Sequence, residues 1–89
     1  MQIDGGNTTK FVQLFPNPVA NTAVVNIPGT GHQQLSITVY DAAGKQVRHY
    51  PHVHGPTFTF SRGDLPHGLY LMQVQNEQRI WGHVKFGVR

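Results

Sequence analysis

Cysteine is absent from this 89-residue chain, which removes a disulfide scaffold, a thiol nucleophile and every cysteine-based zinc or iron–sulfur site. Charge is scarce as well. Asp, Glu, Lys and Arg make up 12% of the residues, about half the usual share of ~25%. Seven basic residues against four acidic ones give a net charge of +3. No two basic residues are adjacent, so the basic stripe that nucleic acid requires is missing. No apolar run approaches the ~20 residues of a membrane-spanning helix. No stretch holds the i, i+3, i+4, i+7 pattern over the roughly 10–12 residues that a helix needs. What is left is a soluble, globular chain with room for one small core, no nucleic-acid partner and no membrane insertion.

The first residues, Met1 to Lys10, lack the apolar h-region of a signal peptide. Asp4-Gly5-Gly6-Asn7-Thr8-Thr9-Lys10 has the polar composition of a linker. Residues 1–10 therefore read as a connector cut from something longer, with the domain proper over residues 11–89. The missing leader then says nothing of the compartment.

From Phe11 onward the dominant period is two, the signature of strands. Phe11 to Phe15 is a short apolar run, ambiguous in face, that stops at Pro16-Asn17-Pro18. Ala23, Val25 and Ile27 share one face of the next run, which ends at Pro28-Gly29-Thr30-Gly31. Leu35, Ile37 and Val39 alternate with Ser36, Thr38 and Tyr40. Asp41-Ala42-Ala43-Gly44 then closes a hairpin into Lys45 to Tyr50, with Gly44 free to take positive φ. Pro51 to Pro56 reads as a loop, followed by strands over Thr57 to Ser61, Leu69 to Gln75 and Ile80 to Val88. In the last, Ile80, Val84, Phe86 and Val88 are expected inward, and Trp81, His83, Lys85 and Arg89 outward. About seven short strands with Gly/Pro turns predict an all-β, immunoglobulin-like antiparallel sandwich. The expected core is Val25, Ile27, Leu35, Ile37, Val39, Val47, Phe58, Phe60, Tyr70, Met72, Val74, Ile80, Val84 and Phe86. Tyr70 follows Leu65-Pro66-His67-Gly68-Leu69, which suits either a tyrosine corner, its hydroxyl bonded to upstream backbone, or a plain core aromatic. Gly68 is expected to occupy a place where a Cβ would not fit.

Little in the chain suits catalysis. The carboxylates Asp4, Asp41, Asp64 and Glu77 all fall in the linker or in turns, where Asp41 and Asp64 have local backbone donors to accept. Ser36 and Ser61 lie outside any G-x-S-x-G turn, and no glycine-rich phosphate loop is present. The chain is not expected to be an enzyme or to hold a cofactor. Six histidines are many for this length, and His49, His52 and His54 crowd into one segment. His52 and His54, two apart, would share a strand face and are weak candidates for a divalent ion, but no third ligand stands at a recognised spacing. Arg62-Gly63-Asp64 matches an integrin-binding tripeptide, and Asn7-Thr8-Thr9 a glycosylation sequon. Both are short enough to arise by chance.

Four pieces together resemble one family, the type A C-terminal sorting domain of the type IX secretion system of Bacteroidota. Phe15-Pro16-Asn17-Pro18 is similar to its opening Tyr/Phe-Pro-Asn-Pro. Val39 to Val47, with Tyr40, Asp41 and Gly44, resembles its central strand–turn–strand. Leu65-Pro66-His67-Gly68-Leu69-Tyr70 resembles its Leu-Pro-x-Gly-x-Tyr, and Val84 to Arg89 its basic, apolar final strand. Gly87, the histidine-rich segment and Gln75-Asn76-Glu77-Gln78 depart from the pattern, and Gly87 is expected to loosen the last strand.

The resemblance implies a non-catalytic secretion signal joined to an N-terminal cargo. Its partners would be the outer-membrane translocon and a sortase-like cysteine protease that removes the domain. The cargo would pass through the periplasm to the cell surface or the medium. Pro16, Asn17, Pro18, Asp41, Gly44, Leu65, Pro66, Gly68, Tyr70, Lys85 and Arg89 are the signal residues it points to. The end of the last strand is further expected at a sheet edge, open to a partner strand. A small carbohydrate- or protein-binding module, using Trp81 as an exposed aromatic, is the alternative.

Overall fold

The computed structural model describes residues 12–28, 34–77 and 80–89. The linker expected over residues 1–10, with Asp4 and the sequon, lies outside them, as does most of the turn after Pro28. The described residues form seven strands and no helix: β1 (Gln13–Phe15), β2 (Thr22–Asn26), β3 (Gln34–Asp41), β4 (Gln46–His54), β5 (Thr57–Ser61), β6 (Gly68–Gln75) and β7 (Ile80–Val88). They make two antiparallel sheets, a smaller one in the order β1-β2-β5 and a larger one in the order β4-β3-β6-β7. The expected sandwich is the architecture found.

Alternation decides the core. Ala23, Val25 and Ile27 face inward from the smaller sheet, and Leu35, Ile37, Val39, Met72 and Val74 from the larger. Phe60 of β5 spans the layers: its ring lies 5.3 Å from that of Phe86 and 6.4 Å from that of Tyr50, and Phe86 stacks on Tyr70 at 5.6 Å. Val12, Leu14, Val19, Val53, Leu65 and Val88 complete the buried set. Val47, Phe58 and Val84 are only partly buried, packed against its margin.

Three departures from the sequence reading trace to β-bulges, which insert a residue into one strand and reverse its facing beyond that point. In β7, Gly82 pairs with Val74 but Ile80 pairs with Gln75, so Trp81 is the extra residue. Ile80, expected in the core, is 59% exposed, while Trp81, expected outside, packs against the core. The indole is therefore partly buried against the core instead of standing outward as a platform for a sugar or peptide. In β4, Leu35 pairs with Val53 and Ile37 with Tyr50, so the strand bulges at Pro51 and His52 and runs on to His54. The expected loop over Pro51 to Pro56 is strand as far as His54. Proline is tolerated there because β4 is an edge strand and the bulge interrupts the ladder.

Gly68 also corrects its expectation. A Cβ built there would meet only the Tyr70 ring, 3.8 Å away, an ordinary contact, and no left-handed φ holds the position for glycine. Gly44 does adopt φ +85° at the hairpin turn, where most side chains would be strained.

Candidate functional site

The Pro16–Pro18 segment leaves β1 and runs along the outer edge of β7. The Asn17 side chain acts there as a piece of strand. Its Oδ1 accepts the Gly87 N–H at 2.9 Å, and its Nδ2 donates to the Lys85 carbonyl at 3.3 Å. One step on, the Val19 N–H donates to the Gly87 carbonyl at 2.8 Å and the Arg89 N–H to the Val19 carbonyl at 2.9 Å. Val19 and Val88 thus form a parallel bridge across the two sheets. An asparagine side-chain amide offers N–H donors and a carbonyl acceptor in the same plane, as a peptide group does, so it can satisfy a strand edge. The end of β7, expected to be open for a partner strand, is closed by the chain's own Asn17 and Val19. Gly87 is accordingly bonded on its outer side rather than loose.

Arg62 gathers the same region. Its Nη1 donates to the Ala20 carbonyl at 3.1 Å and to the main-chain oxygen of Arg89 at 2.7 Å, and its Nη2 donates to the Leu65 carbonyl at 3.0 Å. The guanidinium of the Arg-Gly-Asp tripeptide is therefore engaged inside the fold. Asp64 pairs with Arg48 instead of accepting the local backbone donors expected of it. Leu65 is buried, and the Tyr70 hydroxyl donates to the Pro66 carbonyl at 2.6 Å. That is the tyrosine corner, with the ring itself in the core. At the β3–β4 hairpin the expected turn chemistry holds: Asp41 Oδ1 accepts the Ala43 N–H at 3.0 Å and the Lys45 N–H at 2.9 Å.

Strand register brings these pieces to one end of the sandwich. Asp41 lies opposite Tyr70 and Tyr70 opposite Phe86, while Gly68 lies opposite Val88, which Val19 bridges. Segments more than 70 residues apart in sequence, such as Asn17 and Arg89, meet at this pole. Most of the expected signal residues build the pole: Asn17, Leu65, Pro66 and Tyr70 through the contacts above, Asp41 and Gly44 through the turn. Lys85 and Arg89 join the pole through their main-chain groups, and both residues are exposed. Beside them on the outer face of the larger sheet stand Tyr40 and Leu71, in register with Lys85, and Leu69, opposite Gly87. Sequence reasoning missed the roles of Arg62, Val19 and Leu69. Only Leu69, an apolar residue at an outward strand position, left a sign of itself in the alternation.

The histidines are elsewhere. The Thr38 hydroxyl is 3.1 Å from His49 Nδ1, and Gln34 Nε2 donates to His52 Nδ1 at 3.0 Å. Among the described residues no three His, Cys, Asp or Glu side chains are grouped to hold a metal ion. Burial against Phe58 and Phe60 pushes the Tyr50 phenol above its usual range, opposed by the nearby Arg48 cation.

No curated protein matches the chain. The family model for the secretion system C-terminal sorting domain matches residues 13–85, most of the chain. The match covers the Pro-Asn-Pro segment, the β3–β4 hairpin, the tyrosine corner and β7 as far as Lys85, so the chain belongs to the type IX secretion C-terminal sorting domain family.

Proposed function

We propose that this domain is the address label of a secreted protein, and that the pole where its motifs meet is the part the export machinery reads. The family match carries the reading, and the family is non-catalytic in general. A type IX signal implies export to the cell surface or medium. The finer steps follow from that role. A cargo N-terminal to the label enters the periplasm on its own leader. The folded label then directs it to the outer-membrane translocon, and a sortase-like cysteine protease cuts between them. The polar composition of residues 1–10 suits such a cut.

The signal residues divide into two kinds. Pro16, Asn17, Pro18, Asp41, Gly44, Leu65, Pro66 and Tyr70 keep the pole in shape, and Gly68, opposite Val88, lies among them without needing to be glycine. Lys85 and Arg89 present the charge that is read. Exposed charge of this kind acts on encounter and orientation.

The test is export of a reporter fused ahead of the 89-residue chain, in a type IX-competent strain and in one lacking the translocon. The reporter should leave the competent cells and accumulate in the periplasm of the other. Equal release from both strains would refute the assignment.

A further inference from the structure

We infer that the outer face of the larger sheet, at its motif pole, is a docking surface for an acidic, apolar segment of a protein partner. The inference rests on the sorting reading for the partner's place in secretion, and on the surface itself for its chemistry. Tyr40, Leu71 and Lys85 stand side by side across β3, β6 and β7. Together with Leu69 and Gly44 they line a depression of about 540 Å³. Leu69 is 72% exposed, the highest value among the large hydrophobic residues described. Its cross-strand neighbour is Gly87, which has no side chain to cover it, and a Cβ placed at Gly87 would touch Leu69 at 3.8 Å. Leu69 lines the depression with Leu71 and Tyr40, so the apolar exposure is contiguous rather than that of one isolated side chain, and contiguous apolar surface is what marks a contact site.

Cations outnumber free carboxylates around the depression, whose wall also holds Asp41. Lys85 lies in its wall and Arg89 follows the end of the same strand, with Lys45 on the adjoining hairpin turn. The nearby carboxylates are committed: Asp41 to the turn amides, Asp64 to Arg48. Among the described residues no ion pair engages Lys85, Arg89 or Lys45. An apolar seat with a surplus of cations, whose one wall carboxylate is held by the turn amides, fits a bulky apolar side chain with a carboxylate beside it. A lipid surface fits less well, because two or three cations contribute only about 1 kcal/mol each at an anionic membrane. With the β7 edge already closed by Asn17 and Val19, recognition here runs through side chains on the sheet face, not through an added strand.

The test uses the whole chain in two ways. In the reporter fusion, Leu69→Asn and the pair Lys85→Glu/Arg89→Glu should each cut export at least about fivefold, since opposing like charges and losing the apolar anchor both weaken a specific contact. Their melting temperatures should stay at the wild-type value, because the side chains are exposed. In solution, the peptide acetyl-Asp-Leu-Phe-Glu-amide should shift the NMR signals of Tyr40, Leu69, Leu71 and Lys85, and its Asn/Gln counterpart should not. Normal export of both variants, with wild-type export intact, overturns the docking surface and leaves the sorting reading standing. No export of the wild-type fusion overturns both. Equal shifts from the two peptides refute the acidic partner. Leu69-dependent binding to equimolar phosphatidylcholine–phosphatidylglycerol vesicles, with neither peptide bound, replaces the protein partner by a membrane.

Discussion

Tyr70 shows how one side chain joins fold and motif. Its ring stacks on Phe86 in the core while its hydroxyl reaches the Pro66 carbonyl. The two contributions separate by substitution. Tyr70→Phe keeps the ring and loses the bond, which should cost about 1 kcal/mol. Tyr70→Ala also empties the core site and should cost about 3–5 kcal/mol, most of the stability of so small a domain. Urea unfolding of both variants measures the difference, and equal losses would show that the hydroxyl alone matters. Gly68, two residues earlier, behaves differently from its first reading: with only an ordinary contact awaiting a Cβ, Gly68→Ala should fold and melt close to wild type.

Among the elements, β7 depends on a segment that is not a strand. Asn17 supplies one donor and one acceptor to its outer edge, and Val19 extends the pairing by one residue. Asn17→Ala removes both side-chain bonds and should destabilise the domain by about 1–2 kcal/mol. Amide exchange should quicken first at Gly87, whose N–H loses its acceptor. Unchanged protection at Gly87 would mean that water or a neighbour replaces the amide without loss. Gly87→Ala should move stability the other way. A Cβ there meets Pro18, Leu69 and Asn17 at 3.6–3.9 Å without a clash. Replacing a strand glycine should then gain roughly 0.5–1 kcal/mol, visible as a higher denaturant midpoint.

At the scale of the whole molecule, the two sheets are joined through Tyr50, Phe58 and Phe60 at one place and through Val19, Arg62 and Val88 at the pole. The first junction has a pH limit. The Tyr50 phenol is held above its ordinary value of 10.0 by burial, so the folded state favours the neutral form more than the unfolded state does. The unfolded chain then loses this proton at lower pH than the folded one. Stability from Tyr50 is complete below the unfolded value and falls as pH rises past it toward the folded value. Thermal unfolding followed from pH 9 to pH 11 should show a falling midpoint, and Tyr50→Phe should flatten the part of that fall owed to Tyr50.

Period-two alternation and Gly/Pro punctuation were enough, by themselves, to determine the all-β class, the bounds of most strands and the inward residues Val25, Ile27, Leu35, Ile37, Val39, Met72 and Val74. These are local properties: a pleated strand sends alternate side chains to opposite faces, and turns favour residues that tolerate their φ. The order of the motifs along the chain was equally legible, and with it the family. Only the tertiary structure decided the facing of Ile80 and Trp81, because a bulge depends on how β7 meets β6 and not on β7 alone. It alone turned Arg62 from part of a short tripeptide into the clamp on Ala20, Leu65 and Arg89. It also closed an edge that looked open: whether backbone groups are free depends on what lies beside them in space, and here that is Asn17, brought from the far end of the chain by the packing of one sheet on the other.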